Sequence, residues 1–241
     1  MLRSNLLVSI SELANPIVIV TSAYAGEGKT ATCTSLAESL ATAGQRVVLV
    51  DLDLRHPDSH LSIGAHNDVG VSDVLFDRRP LKECVQYVEL PGGESSAAAA
   101  SLYFLATGPQ VSNPAELLST PRTGWLLESL AAQADIVLLD TPPVLPVADT
   151  LVIGRMAAGA VLVVEARTAT PAAKRAKDAL TRNQTRLLGV VLNRFEAKYG
   201  RYGYGDADRS GYGYGFGYGF GYGSQRSSSE GNGSGPDKPR E

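Results

Sequence analysis

Short, unbroken apolar runs separated by helix-length segments set the rhythm of residues 1–198. Ile17–Ser22, Arg46–Asp51, Ile136–Asp140, Ala160–Glu165 and Leu187–Leu192 are rich in Val, Ile and Leu and do not alternate with polar residues. Such runs predict strands buried on both faces. Weaker strands are predicted at Cys84–Glu89 and Leu102–Ala106. Between them, Lys29–Ala43, Ala115–Leu118, Arg122–Gln133, Val147–Met156 and Pro171–Asn183 read as helices, the first closed by Gly44. His56–Gly70 and Pro91–Ser101 read as surface loops. Strands alternating with helices give an α/β fold, a doubly wound and mostly parallel sheet covered on both sides.

The pattern stops near Tyr199. Glycine and tyrosine then alternate, most regularly over Gly211–Gly223, and a Ser/Gly/Pro-rich stretch runs on to Glu241. Few aliphatic residues remain to offset the entropy of ordering so much glycine, so residues 199–241 are expected to be a disordered tail after a single domain over 1–198.

Composition narrows the function classes. The net charge of -3 and the lack of a Lys/Arg-rich run argue against nucleic acid as a partner. The two cysteines, Cys33 and Cys84, have no zinc or dithiol spacing and read as reduced thiols of a cytoplasmic protein. No stretch reaches the roughly 18–20 apolar residues of a membrane span. Met1–Ile10 does not read as a signal peptide, because Ser11, Glu12 and Asn15 interrupt it and no small-residue cleavage site follows. Work at a membrane would need something else to hold the chain there.

The chemistry begins between the first strand and the first helix. Ala23-Tyr24-Ala25-Gly26-Glu27-Gly28-Lys29-Thr30 fits the phosphate-binding loop, with Ala23 at the first glycine position. Gly26 and Gly28 let backbone N–H groups curl around phosphate oxygens, Lys29 reaches the β- and γ-phosphates of ATP, and the Thr30 hydroxyl suits Mg2+. Ala25 and Glu27 complete the nucleotide-binding run. A bare glycine turn is the plain alternative, but the position between a buried strand and a helix favours the P-loop NTPase reading. Asp140 closes ADIVLLD, where a carboxylate at a strand tip faces the nucleotide crevice. Asp51 and Asp53 close VVLVDLD, followed by Arg55, and alternation puts both acids on one side. Either acid alone reads as a capping or turn residue. Together with the P-loop and Asp140 they read as catalytic, with Lys29.

In this order, the P-loop, VVLVDLDLRHP (Val47–Pro57) and ADIVLLDTPPV (Ala134–Val144) resemble the bacterial tyrosine kinases, or BY-kinases, that regulate capsule and exopolysaccharide assembly. SNPAELLST (Ser112–Thr120), PVADT (Pro146–Thr150), GVVLNR (Gly189–Arg194) and the terminal tyrosine cluster extend the likeness from Arg3 to the tail. The resemblance implies that Thr30, Asp51 and Asp140 organise Mg2+, that Asp51 or Asp53 helps take the proton from the attacking tyrosine, and that Asn193 lies near the adenine. It also implies autophosphorylation of tail tyrosines, a homo-oligomer, and a transmembrane activator of the polysaccharide co-polymerase type that recruits the chain to the inner face of the cell membrane. The acidic-and-arginine helix by which such kinases form rings is matched only at its end, Leu2-Arg3-Ser4-Asn5-Leu6.

Tyr24, Tyr87 and Tyr103 fall in the globular part and read as packing or loop residues. The tail carries Tyr199, Tyr202, Tyr204, Tyr212, Tyr214, Tyr218 and Tyr222. Flanking glycines let such a tyrosine enter an active site, and a coil of this length spans tens of ångströms. Phe216 and Phe220 keep the rhythm without a hydroxyl, so weak self-association is the rival view. His56, His60 and His66 lack the spacing of a structural zinc site, and Lys174-Arg175-Ala176-Lys177 reads as a solvated helix face. Two other functions remain: a ParA/MinD-like ATPase switch, and a scaffold assembled by the Gly-Tyr tail. The switch proteins carry an extra P-loop lysine where this chain has Tyr24, and the intact acid set argues against a scaffold.

Overall fold

The computed structural model describes residues 2–10, 16–90 and 100–195. In chain order these form α1 (Leu2–Ile10), β1 (Ile17–Ser22), α2 (Lys29–Thr42), β2 (Val47–Asp51), α3 (Ser59–Ile63), α4 (Val71–Leu75), α5 (Leu81–Cys84), β3 (Val85–Glu89), β4 (Ser101–Leu105), α6 (Pro114–Leu118), α7 (Pro121–Ala131), β5 (Ile136–Asp140), α8 (Asp149–Gly154), β6 (Gly159–Glu165), α9 (Thr170–Arg182) and β7 (Leu187–Asn193). The strands make one sheet in the order β3-β4-β2-β5-β1-β6-β7. All neighbours are parallel except β3, which runs antiparallel to β4 at one edge.

The unbroken apolar runs are explained by what lies on each face. Val18, Val20, Leu49, Leu138 and Val163 pack with Cys33, Leu36 and Leu40 of α2 and with Leu6 of α1. Residues of the opposite parity, Ile19, Val50, Leu139 and Leu162, pack with Val74, Leu118, Leu126, Ile153 and Leu180 from α4 and α6–α9. A polar residue at either parity would be buried without a partner, so these strands tolerate none until their tips. Gly44 takes φ +85°, and its N–H returns to the Ala41 carbonyl at 2.9 Å, which ends α2 where the glycine predicted.

Every predicted strand forms, with ends shifted by at most a residue. The stretch His56–Gly70, expected to be loop, contains α3; the sequence reading also passed over α1, α4 and α5. Of these, α3, α4 and α5 have only four or five residues each, too few to display a helical period. The helix expected over Val147–Met156 is shorter, Asp149–Gly154, because the turns after Pro142 extend to Leu145 and Pro146 before the helix can start. Residues 199–241, with all seven tail tyrosines, and most of Pro91–Ser101 lie outside the described residues.

The topology places the site. β1 lies between β5 and β6, where the order of the sheet reverses, and crevices open at the C-terminal strand ends at such a point. Register brings Val20 opposite Asp140, and Asp140 opposite Asp51. The tips of β1, β2 and β5 therefore converge.

Candidate functional site

The P-loop leaves β1 at Ser22 and enters α2 at Lys29. Gly26 (φ +84°) and Gly28 (φ +91°) supply the left-handed turns that bend it. Gly28 is also a close approach: a Cβ there would meet Asn193 Nδ2 at 2.1 Å. That nitrogen donates to the Glu27 carbonyl at 2.9 Å, so Asn193, at the end of β7, braces the loop. The Glu27 side chain is buried and accepts from the Tyr24 backbone N–H at 2.9 Å and from the Thr168 hydroxyl. Its side chain thus holds the loop's shape from within, while its backbone belongs to the nucleotide run. Tyr24 is half-exposed, and its hydroxyl accepts from Arg175 Nη2 at 3.2 Å.

Three buried carboxylates meet the loop. Lys29 Nζ lies 2.9 Å from Asp53 Oδ2 and 3.4 Å from Asp140 Oδ1, and donates to Thr30 Oγ1 at 3.1 Å. Asp51 accepts from the backbone N–H groups of Asp53 and Ser59, each at 3.1 Å. Asp53 Oδ1 accepts from the His56 N–H at 3.1 Å, and Asp140 Oδ2 accepts from the Ser59 hydroxyl at 2.8 Å. Asp51 and Asp53 thus shape the 51–59 turn, as the turn reading expected, and also lie beside the P-loop lysine. Ser59 was missed, because it falls in the stretch taken for loop and no spacing marks it.

The electrostatics follow from three acids sharing one ammonium. Burial, reinforced by Asp140, pushes the Asp51 carboxyl up to about 8. Burial also raises Asp140, although Lys29 opposes it. Burial alone would lower Lys29, but Asp140 and Asp53 outweigh it and hold the ammonium above its usual range.

Among the described residues no three His, Cys, Asp or Glu side chains form a closed metal cage. Magnesium in nucleotide sites instead uses one or two carboxylates together with phosphate and water oxygens. The oxygens of Thr30, Asp51 and Asp140 fit that demand, and the Lys29 ammonium already shows that the cluster accommodates a cation. A cavity of about 590 Å³ opens over Gly26, Lys29, Thr30 and Asp53 and is also lined by Pro142 and Pro143. A second, of about 570 Å³, lies between α1 and α2 and is lined by Arg3, Thr32, Ser39 and Asn193. The structure thus brings together Ala25, Gly26, Glu27, Gly28, Lys29, Thr30, Asp51, Asp53, Asp140 and Asn193.

Residues 18–203 match the CobQ/CobB/MinD/ParA nucleotide-binding domain. The chain is 36% identical over 205 residues to the tyrosine-protein kinase YwqD of Bacillus subtilis, covering 84% of this chain and 83% of the relative. It is 32% identical over 209 residues to the tyrosine-protein kinase Wzc of Salmonella typhimurium, covering 84% of this chain but only 28% of that longer protein. The kinase domain of the Escherichia coli tyrosine kinase ETK superposes with a TM-score of 0.73 at 28% identity, over 90% of this chain and 78% of that one. The P-loop between β1 and α2, the acids at the tips of β2 and β5, and these likenesses agree: the chain belongs to the bacterial tyrosine-kinase branch of the CobQ/CobB/MinD/ParA nucleotide-binding family.

Proposed function

We propose that the chain is an ATP-dependent protein-tyrosine kinase that phosphorylates the tyrosines of its own 199–241 tail, in trans between copies, and so regulates capsule or exopolysaccharide synthesis and export. The observation that carries this reading over a nucleotide switch is Tyr24, which stands where the switch ATPases carry a second lysine. The acids suit the chemistry: Asp51 and Asp140 can serve Mg2+, and Asp53 is a further carboxylate that lines the cleft.

Lys29 covers Asp53. The γ- and β-phosphates of ATP compete for the same ammonium, so nucleotide binding draws Lys29 off Asp53 and uncovers a base at the cleft floor. The phenolic oxygen of an acceptor tyrosine then attacks the γ-phosphorus. The bond from γ-phosphorus to the bridging oxygen breaks, ADP leaves with the electron pair, and the phenolic proton passes to Asp53. Magnesium, held by Thr30, Asp51 and Asp140 when bound, offsets the phosphate charge. Backbone N–H groups of residues 25–30 cradle the phosphates. The cavity beside Asn193 suits the adenine.

Among the described residues no helix is long and apolar enough to cross a membrane. A transmembrane partner of the polysaccharide co-polymerase type, which the family resemblance implies, holds the kinase at the inner membrane face and stimulates it in this reading. Changing the seven tail tyrosines to Phe should abolish autophosphorylation and leave nucleotide binding intact. Phosphate mapped mainly to Tyr24, Tyr87 or Tyr103 would refute the tail assignment.

A further inference from the structure

The cleft has a wall that phosphate chemistry does not need. Besides Lys29, Asp53 and the polar Arg55, His56, Asp58, Ser62 and Arg194, it is lined by Leu61, Pro142, Pro143, Pro146 and Val147, apolar side chains that nucleotide phosphates have no use for. This wall is held rigidly. The Pro142 carbonyl accepts from the hydroxyls of Thr21 at 2.9 Å and Thr150 at 2.6 Å, and the Val144 N–H donates to the Ser22 carbonyl at 2.8 Å. The two banks are also tied together. Arg55, two residues after Asp53, reaches to the first residue of α8 and donates from Nε and Nη2 to the two oxygens of Asp149, at 2.8 and 2.9 Å.

Asp149 is fully buried, whereas about a third of the Arg55 side chain remains exposed. If Arg55 let go, a buried carboxylate would be left without its partner, among the costlier defects a fold can carry. Arg55 is therefore no mobile finger for phosphate. Its planar fork fixes both a distance and an angle between the 51–59 turn and the 141–149 wall, which a lysine cannot do.

On the kinase reading above, we infer that the proline-walled side of the cleft is the slot for the aromatic ring of the acceptor tyrosine, and that the Arg55–Asp149 clamp is a positioning device that sets its width. The slot adjoins Asp53, so a ring resting on the prolines delivers its hydroxyl to the base. A serine hydroxyl, one bond from Cβ, cannot reach from the same backbone position. Glycines on both sides of the acceptor, as in Gly211–Gly223, leave no neighbouring side chain to strike the walls. Selection for tyrosine then rests on the ring and needs no sequence motif around it.

The test uses the full chain with its tail tyrosines changed to Phe, a synthetic Gly-Tyr-Gly-repeat peptide as acceptor, and hydrolysis of ATP by water as a second readout. Arg55→Lys and Asp149→Asn should each raise KM for the peptide tenfold or more, with KM for ATP within twofold and hydrolysis unchanged. Arg55→Lys keeps the charge next to Asp149, so it reports even if Asp149→Asn fails to fold. Unchanged peptide KM, or equal losses in peptide transfer and ATP hydrolysis, overturns the clamp. A parent protein that hydrolyses ATP yet transfers nothing to the peptide or to its own unsubstituted tail overturns the kinase reading itself.

Discussion

Replacing Lys29 with Met tests the ion cage and the chemistry together. The ammonium lies 2.9 Å from Asp53 and 3.4 Å from Asp140. At an effective dielectric constant of about 20 each pair is worth roughly 5–6 kcal/mol before desolvation is subtracted. Removing one partner of such a buried pair costs about 3–5 kcal/mol net. The loss is reduced where the stranded acids can take up protons, and Asp51, raised to about 8, is already largely protonated at neutral pH. A carboxyl whose folded pKa lies above its unfolded value stabilises the fold at low pH, and that contribution is lost as pH rises through the folded value. Without the ammonium these values rise further, so the deficit should be small near pH 5 and approach about 3 kcal/mol above pH 8. Urea denaturation of both proteins across that range measures it, and phosphotyrosine formation in the same variant should fall by orders of magnitude. A stability deficit that does not grow with pH would refute the cage, and undiminished phosphotyrosine would refute the role of Lys29.

Gly28→Ala should remove nucleotide binding and cost roughly 1–2 kcal/mol from left-handed strain; because the new methyl meets Asn193 Nδ2 at 2.1 Å, adding Asn193→Ala should recover part of the stability, and no recovery would contradict the contact. Since Asp51 must ionise to hold a metal and its carboxyl is raised to about 8, Mg2+ affinity in the presence of nucleotide should rise between pH 6 and 8 with proton release; calorimetry in two buffers reads it, and a flat profile would contradict the assignment. Each phosphotyrosine adds about -1.5 to -2 charges, so a phosphorylated tail should loosen the homo-oligomer that the family resemblance implies, at low salt more than at high salt. Light scattering would show this, and a chain that is monomeric before phosphorylation would defeat the idea.

Much of the architecture was legible because it depends on patterns local to a few residues. An unbroken run such as VVLVD, short and rich in valine, reads as a strand with helices on both faces, and the P-loop announces its own turn. The acids were legible because strand tips are where a buried sheet tolerates charge. Contacts between distant segments were not. Nothing near Glu27 signals Thr168, nothing near Arg55 signals Asp149, and Ser59 acquires its place only when the 51–59 turn folds it against Asp140. The helices α3–α5 escaped because four or five residues hold barely one turn of periodicity.

The central claim is phosphoryl transfer to tyrosine rather than to water. Intact-mass spectrometry of the full chain, incubated with Mg-ATP and compared with the Lys29→Met protein, tests it most directly. The account predicts a ladder of added phosphates on the wild-type chain, confined by peptide mapping to Tyr199, Tyr202, Tyr204, Tyr212, Tyr214, Tyr218 and Tyr222, and none on the variant. Steady conversion of ATP to ADP with the protein mass unchanged would contradict it and identify a nucleotide switch instead.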